Sequence, residues 1–159
     1  MTLAYVALGS NLGDSRRHVL DAIEAMSQLP GTGVLARSRL YRTPPWGVLD
    51  QPPFVNAAVS LQTELAPHAL LDGLLAIERA AGRIRDGRWG PRILDLDLLH
   101  MEGERLDDER LTLPHPRIAE RAFVLLPLRD IAPTLLLPGQ GRVDELLAGV
   151  DHAACEILP

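Results

Sequence analysis

Apolar residues recur along this 159-residue chain with two periods, and each period predicts one kind of secondary structure. Alternating or continuous apolar runs bounded by Gly, Pro or Asn predict strands, at residues 3–8, 34–41, 54–63 and 93–99. Helical spacing predicts helices at residues 15–29 and 66–81, with weaker patterns at 118–126 and 143–147. Segment 106–113 is expected to be irregular. The β-α-β-β-α-β order predicts an α+β sandwich of the ferredoxin-like type, with the helices on one face of a mostly antiparallel sheet and the C-terminal residues as a peripheral cap.

Composition places the chain among ordinary globular proteins, with 47% hydrophobic and 23% charged residues. A single domain over residues 1–159 is expected, and no apolar run is long enough to span a membrane. The N-terminal residues do not have the pattern of a secretory leader, and a lone cysteine, Cys155, fits a reducing cytoplasm. The net charge of −5 argues against a nucleic-acid binder. We therefore expect a cytoplasmic protein, and we take it to be a monomer.

Two aspartates, Asp95 and Asp97, interrupt the last predicted strand. Because side chains alternate along a strand, both carboxylates point to one face, with their Cα atoms roughly 6.5–7 Å apart. Aspartate is uncommon in strands, and a carboxylate in an apolar element is costly unless a cation or hydrogen-bond donors stabilise it. The pair is therefore expected to hold one hard cation or to bracket two. The alternative is a solvated strand face.

The loop before that strand combines arginines with glycines that allow it to move. Its arginines are Arg83, Arg85, Arg88 and Arg92, and its glycines are Gly82, Gly87 and Gly90. Guanidinium groups match phosphate oxygens, and Mg²⁺ is commonly held by one or two carboxylates together with substrate phosphates. The sequence contains no lysine, so phosphates must be bound by arginine, histidine, backbone groups and metal. The loop and the aspartate pair predict a polyphosphate and Mg²⁺ site under a closing lid. The alternative partners for these arginines are the nearby acids Glu102, Glu104, Asp107 and Asp108.

Motifs along the rest of the chain complete a known pattern. They are Ala7 to Gly13 (ALGSNLG), Tyr41 to Pro45 (YRTPP) with Phe54 and Asn56, Arg88 to Asp97 (RWGPRILDLD), and Pro114-His115 with Arg121 and Phe123. Together they resemble the 6-hydroxymethyl-7,8-dihydropterin pyrophosphokinase family of folate biosynthesis over nearly the whole chain. The resemblance implies transfer of a diphosphate from ATP to the hydroxymethyl group of 6-hydroxymethyl-7,8-dihydropterin, with release of AMP.

The resemblance also implies roles for individual residues. Asp95 and Asp97 are expected to bind two Mg²⁺ ions, and we hypothesise that Asp97 also accepts the hydroxyl proton; Arg85 and Arg92 complete the expected catalytic set. The expected phosphate contacts are Arg85, Arg88, Arg92, His115 and Arg121, and the expected nucleoside contacts are Glu78, Arg110 and Thr112. The expected pterin contacts are Thr43, Pro44, Pro45, Trp46, Phe54, Asn56 and Phe123. The short lid leaves open which of Arg83, Arg85 and Arg88 touches phosphate.

Several alternatives stay open at this level. Phe123 fits an apolar helix core as well as a ligand, Asn56 could be a satisfied edge amide, and a lone histidine such as His115 is often structural. For the whole chain, the D-x-D pair also occurs in glycosyltransferases that bind nucleotide sugars. An RNA-binding module that stacks bases on Trp89 is the non-enzyme alternative.

Overall fold

The computed structural model describes residues 1–45, 50–82 and 93–159. Its strands are β1 (Thr2–Ser10), β2 (Thr32–Arg37), β3 (Tyr41–Thr43), β4 (Phe54–Thr63), β5 (Asp95–Met101), β6 (Leu106–Asp107), β7 (Thr112–Leu113), β8 (Leu136–Leu137), β9 (Gly141–Arg142) and β10 (Glu156–Ile157). Its α-helices are α1 (Ser15–Ser27), α2 (Pro67–Ala80), α3 (Ala122–Ile131) and α4 (Val143–Ala148). No helix within the described ranges is long and apolar enough to cross a membrane.

The main sheet is antiparallel throughout its described strands, in the order β10-β3-β4-β1-β5, with β2 also paired to β4. The predicted mixture of helices and antiparallel sheet is therefore confirmed. One sheet face packs against α1 and α2. Both helices bury an apolar stripe there, and its buried members are Val19, Ala22, Ile23, Met26, Leu70 and Leu74.

The second sheet face is covered as well, so the prediction that the helices lie on one face is wrong. Tyr5 and Ala7 of β1 and Ala58 of β4 point away from α1 and α2, and they form a second core with α3 and α4. An apolar sheet face exposed to water would be unfavourable, and burying it requires a second layer. The C-terminal residues supply that layer, so they form part of the core and are not a peripheral cap.

Element boundaries agree with prediction at the central strands and differ near the edges. The expected strand 34–41 is two strands, because the chain leaves the β4 ladder at Ser38, whose hydroxyl accepts a hydrogen bond from the Ala58 amide at 2.9 Å. Segment 106–113 forms the short β6–β7 hairpin. The expected helix 118–126 begins with a 3-10 turn, Ile118–Glu120, and continues as α3. The edge strand β10 was not predicted; two residues carry no usable period.

Polar contacts tie the second layer to the edge of the sheet at β3. The Tyr41 hydroxyl, in a side chain that is 1% exposed, donates to both carboxylate oxygens of Asp130 at 2.9 and 2.8 Å. The backbone amide and guanidinium of Arg39 also donate to Asp130. Asp130 lies in the last turn of α3. The contact therefore fixes α3 against β3 and orients its first turn, which carries candidate site residues.

Candidate active site

Asp95 and Asp97 lie on one face of β5, as the strand alternation predicts. Their partners in β1 are Gly9 and Ala7, and Ala7 belongs to the second core. Directly paired residues of antiparallel strands point to the same face, so both carboxylates lie on the α3 and α4 side of the sheet. Both aspartates are half-buried. They lie where β1 ends, beyond the apolar part of that face.

Among the described strands, the one that carries the aspartates is the last on its side of the sheet, so one row of its main-chain groups faces no other described strand. Contacts from two other parts of the described chain reach this strand. The Leu96 amide donates to the buried carboxylate of Glu78 at 2.8 Å, and the His115 amide donates to the Leu99 carbonyl at 2.7 Å. The strand that carries the aspartates is thus held by the Glu78 side chain of α2 and by the backbone of the turn at His115.

The imidazole of His115 lies in a positively charged environment. The pKa of His115 is lowered to about 4, mainly by burial and then by the charges of Arg121 and Arg117, while the charge of Asp95 acts to raise it. The Arg117 amide donates to Nδ1 of the ring at 3.2 Å. Because Nδ1 accepts that bond, the proton of the neutral ring lies on Nε2, which is then a hydrogen-bond donor.

Arg121 adds a second donor to this part of the site. It caps the N-terminus of α3, and its guanidinium lies 5.7 Å from the centroid of the Phe123 ring. Among the described residues, its buried Nε has no hydrogen-bond partner. A buried N–H of a permanent cation needs an acceptor, and a phosphate oxygen is well suited to be one. Arg121, His115 and the aspartate pair therefore form a centre of mixed charge.

A second group of site residues lies on the same sheet face, next to the aspartates. Asn56 of β4 pairs with Gly9 and is buried; its Oδ1 accepts from the Thr43 hydroxyl at 2.5 Å, and its Nδ2 donates to the Leu8 carbonyl at 3.2 Å. A Cβ atom on Gly9 would lie 2.8 Å from Asn56 Nδ2 and 3.8 Å from the Phe54 ring. Gly9 therefore lets the amide and the ring lie against the strand.

The remaining predicted ligands lie around these two groups or outside the described residues. Phe123 is half-buried and packs against the second core, so its environment suits either a core or a ligand role. Pro44 is exposed and Pro45 half-buried at the end of β3. Arg110 pairs with Asp72 of α2 at the β6–β7 turn, and the neighbouring Thr112 in β7 is half-buried. The predicted ligands outside the described residues are Trp46, Arg85, Arg88 and Arg92, and Arg83 and Trp89 also lie outside.

Two features of the site were not identified from the sequence. The first strand was predicted over residues 3–8, but β1 also includes Gly9 and Ser10. The following residue, Asn11, donates through Nδ2 to Gln51 Oε1 at 2.9 Å and to the Pro52 carbonyl at 3.0 Å. The glycine serves the close approach of Asn56 across the sheet. Its signal was a small residue inside a strand-forming run, which indicates a close approach of another group.

The donor set around Asp95 and Asp97 suits a hard cation. Within residues 1–45, 50–82 and 93–159, no group of three or more His, Cys, Asp or Glu side chains is arranged to hold a metal ion. Two carboxylates are nevertheless sufficient for Mg²⁺, which keeps several waters and takes further oxygens from substrate phosphates. The residues present therefore fit Mg²⁺ bound together with a polyphosphate, and they do not form a closed structural metal site.

Comparison with known proteins identifies the family. Residues 5–133 match the model of 7,8-dihydro-6-hydroxymethylpterin-pyrophosphokinase (HPPK). The chain is 53% identical over 156 residues to 2-amino-4-hydroxy-6-hydroxymethyldihydropteridine pyrophosphokinase of Methylorubrum extorquens, with 98% of each chain covered. It is 50% identical to the protein of that name from Pseudomonas aeruginosa, over 98% of this chain and 96% of the other.

Solved structures agree with this assignment at the level of the fold. A crystal structure described as HPPK-DHPS in complex with substrates has a TM-score of 0.73 and 14% identity, covering 94% of this chain and 45% of that one. The Plasmodium falciparum HPPK-DHPS wild-type structure has a TM-score of 0.69 and 16% identity, over 94% and 43%. This chain thus spans less than half of those longer chains. The family match decides against the glycosyltransferase and RNA-binding hypotheses: the chain belongs to the 7,8-dihydro-6-hydroxymethylpterin-pyrophosphokinase family.

Proposed function

We propose that this protein transfers a diphosphate from ATP to the hydroxymethyl group of 6-hydroxymethyl-7,8-dihydropterin, giving AMP and the pterin diphosphate, a step of folate biosynthesis. One observation carries the proposal beyond family membership. The aspartate pair of β5 and the amide of Asn56 lie on one sheet face, on strands that both pair with β1. A site for charged phosphates and a site for a flat hydrogen-bonding ring are therefore neighbours, as a transfer between them requires.

Asp95 and Asp97 are proposed to hold Mg²⁺, with two ions expected. When bound, the metal polarises phosphate oxygens, lowers the pKa of the attacking hydroxyl and aligns it with the phosphorus that it attacks. Two contacts support the strand that carries them: the Leu96 amide donates to Glu78 Oε2 at 2.8 Å, and the His115 amide donates to the Leu99 carbonyl at 2.7 Å. Both contacts are made to main-chain groups of β5.

The phosphates are proposed to lie against His115 and Arg121. His115 donates through Nε2–H, because its Nδ1 already accepts from the Arg117 amide. Arg121 offers its buried Nε to the same anion. Both groups stabilise charge that develops on the phosphate oxygens without needing to release a proton. The loop arginines Arg85, Arg88 and Arg92 are proposed to add to this set, and Arg110, Thr112 and Glu78 to lie on the nucleoside side.

The pterin is proposed to lie against β4 and the residues that follow β3. Phe54 and Phe123 would stack on its two faces, and aromatic stacking with ring centroids 4.5–7 Å apart is favourable. Asn56 would contact the ring edge together with the backbone of Thr43, Pro44, Pro45 and Trp46. The Thr43 hydroxyl fixes the orientation of the Asn56 amide, so the ring meets a defined set of donors and acceptors.

Asp97 is proposed to accept the proton of the attacking hydroxyl. The O–H bond of the hydroxymethyl group breaks, its oxygen bonds to the β-phosphorus, and the bond from that phosphorus to the α-phosphate oxygen breaks to release AMP. An Asp97→Asn variant keeps an oxygen ligand but is a much weaker base. We expect kcat to fall at least about 100-fold, as for loss of a general base, with nucleotide affinity changed far less; a near-normal kcat contradicts this role.

The proposal extends to the fold type, the domain organisation, the oligomeric state and the compartment of the protein. The strand order β2-β4-β1-β5, linked through α1 and α2, supports a ferredoxin-like sandwich extended by a second helical layer. We further propose a single catalytic domain over residues 1–159, acting as a monomer in the cytoplasm. Cys155, half-buried and without a disulfide in the structure, is compatible with that compartment.

The test is AMP release from ATP and Mg²⁺, with and without 6-hydroxymethyl-7,8-dihydropterin. We expect AMP formation that requires the pterin and is lost in an Asp95→Ala/Asp97→Ala double variant. The matched control replaces Asp21 and Glu24, two exposed acids of α1, by alanine and should keep full activity. ADP formation, or AMP formation independent of the pterin, would contradict the proposal.

A further inference from the structure

Glu78 is a charged residue inside the protein core. It lies in the last turn of α2, its side chain is 2% exposed, and its Oε2 accepts the hydrogen bond from the Leu96 amide at 2.8 Å. Burying a carboxylate is costly unless donors compensate it, and the Leu96 amide is one such donor. The position of this backbone amide in β5 indicates what the contact does.

Leu96 is the residue between the two aspartates. Its side chain is buried in the first core, together with those of Leu94 and Leu98. On one side the strand pairs with β1, and on the other side no further strand of residues 1–45, 50–82 and 93–159 pairs with it. A hydrogen bond to the Leu96 amide therefore acts on the peptide units that connect Asp95 to Asp97. This hydrogen bond holds the register and twist of β5 that place both carboxylates at the same site.

The helix that carries Glu78 is packed into the protein core. Leu70 and Leu74, which precede Glu78 on α2, are 0% and 1% exposed and pack into the first core. The N-terminal end of β5 follows the arginine loop directly in sequence, and the bond to Leu96 helps to hold that end of the strand. Loss of this bond would make that end more prone to local unfolding.

We propose that Glu78 is a positioning residue, which acts on the reaction through the Leu96 amide and the geometry of the Asp95 and Asp97 carboxylates. The inference rests on the proposed function and adds a role that the expected nucleoside contact does not include. The two roles have different kinetic signatures. Loss of a nucleoside contact raises KM for ATP at constant kcat, whereas misplaced aspartates lower kcat.

The first experiment compares Glu78→Gln with Glu78→Leu. Glutamine keeps a side-chain oxygen that accepts from the Leu96 amide, whereas leucine has a similar size and no acceptor. We expect Glu78→Gln to keep kcat within about threefold and Glu78→Leu to lose about 100-fold, the scale of a displacement of about 1 Å in a reacting group. Glu24→Gln and Glu24→Leu, at an exposed position of α1, are the matched controls and should be unchanged.

The second experiment does not depend on turnover. Amide hydrogen exchange of Leu96 is measured by NMR in the free protein, relative to the amides of Val6 and Val59 in the central strands. The wild type and Glu78→Gln should protect the Leu96 amide, and Glu78→Leu should increase its exchange at least about tenfold, as loss of one hydrogen bond to a charged group predicts. Val6 and Val59 should keep their protection, which separates local loosening from global unfolding.

The outcomes decide the inference. A fall of kcat in Glu78→Gln as large as in Glu78→Leu overturns it, because the negative charge and not the acceptor would then matter. Rapid exchange of Leu96 in the wild type also overturns it, as does a rise in KM for ATP at unchanged kcat in Glu78→Leu. If the leucine variant does not fold, Glu78→Ala replaces it in both experiments. A wild type without pterin-dependent AMP formation refutes the proposed function instead, and the exchange data stay valid.

Discussion

Replacing Gly9 by alanine tests whether Asn56 must lie against β1. The added Cβ would lie 2.8 Å from Asn56 Nδ2, and ordinary van der Waals contact begins near 3.4 Å, so the amide must move by about 0.6 Å. A shift of that size is sufficient to break the 3.2 Å bond from Nδ2 to the Leu8 carbonyl and to disturb the 2.5 Å bond from Thr43.

The expected magnitude follows from two opposing effects. Disturbing the buried amide network costs about 1–3 kcal/mol, and the lower chain entropy of unfolded alanine returns about 0.4–1 kcal/mol. The difference is a net loss of up to about 2.5 kcal/mol, centred near about 1 kcal/mol, in the free energy of unfolding measured by urea denaturation. The displaced amide also raises KM for the pterin about tenfold, with KM for ATP unchanged, because the amide is proposed to contact only the pterin.

Gly33 provides the control for this experiment. It lies in β2, and a Cβ atom there would meet nothing within 4 Å. Neither Gly9 nor Gly33 has the left-handed backbone that excludes alanine. Gly33→Ala is therefore expected to be neutral or slightly stabilising, with normal kinetics. A Gly9→Ala protein as stable as Gly33→Ala, with an unchanged KM for the pterin, would refute the proposed role of the glycine.

Two further predictions concern the supports of the site. Tyr41→Phe removes the buried hydroxyl that donates to Asp130 and should lower the free energy of unfolding by about 1.5–3 kcal/mol in urea denaturation. Arg39→Ala also removes a contact to Asp130, but Arg39 lies at the exposed surface, so this variant should lower the free energy of unfolding less. The pKa of His115, lowered to about 4 mainly by burial, predicts an NMR midpoint near 4 for its ring in the free protein; a midpoint above 6 would contradict it. The ring titrates at about 6.5 in the unfolded state, so between about pH 4 and about pH 6.5 the unfolded protein binds more protons than the folded protein. The free energy of unfolding should therefore fall as the pH is lowered from about 6.5 to about 4, and it should fall less in His115→Asn.

The central strands and the two long helices were predictable from the sequence because each has one dominant period. Residues 54–63 were predicted as a strand and form β4 with those bounds. The prediction of the aspartate face succeeded for the same reason, since alternation in a strand leaves no freedom in where Asp95 and Asp97 point. The motif resemblance to the family is likewise confirmed by the family match.

The second helical layer was not predicted, because the helical patterns at 118–126 and 143–147 are weak and the C-terminal residues were taken as a peripheral cap. Residues 4–8 are apolar at every position, and such a run indicates a strand that is buried on both faces. That run required a cover on the side of Tyr5 and Ala7, which α3 and α4 provide. The late strand β10 and the bond from Glu78 to Leu96 could not be predicted, because each depends on pairing between segments far apart in sequence.

The most direct test of the account is to identify the phosphorus products of the reaction. ATP, Mg²⁺ and 6-hydroxymethyl-7,8-dihydropterin are incubated with the wild-type protein and followed by ³¹P NMR. The account predicts AMP and a pterin diphosphate in equal amounts, with neither ADP nor free pyrophosphate accumulating. ADP with a pterin monophosphate, or AMP with free pyrophosphate and unchanged pterin, would contradict the transfer of an intact diphosphate.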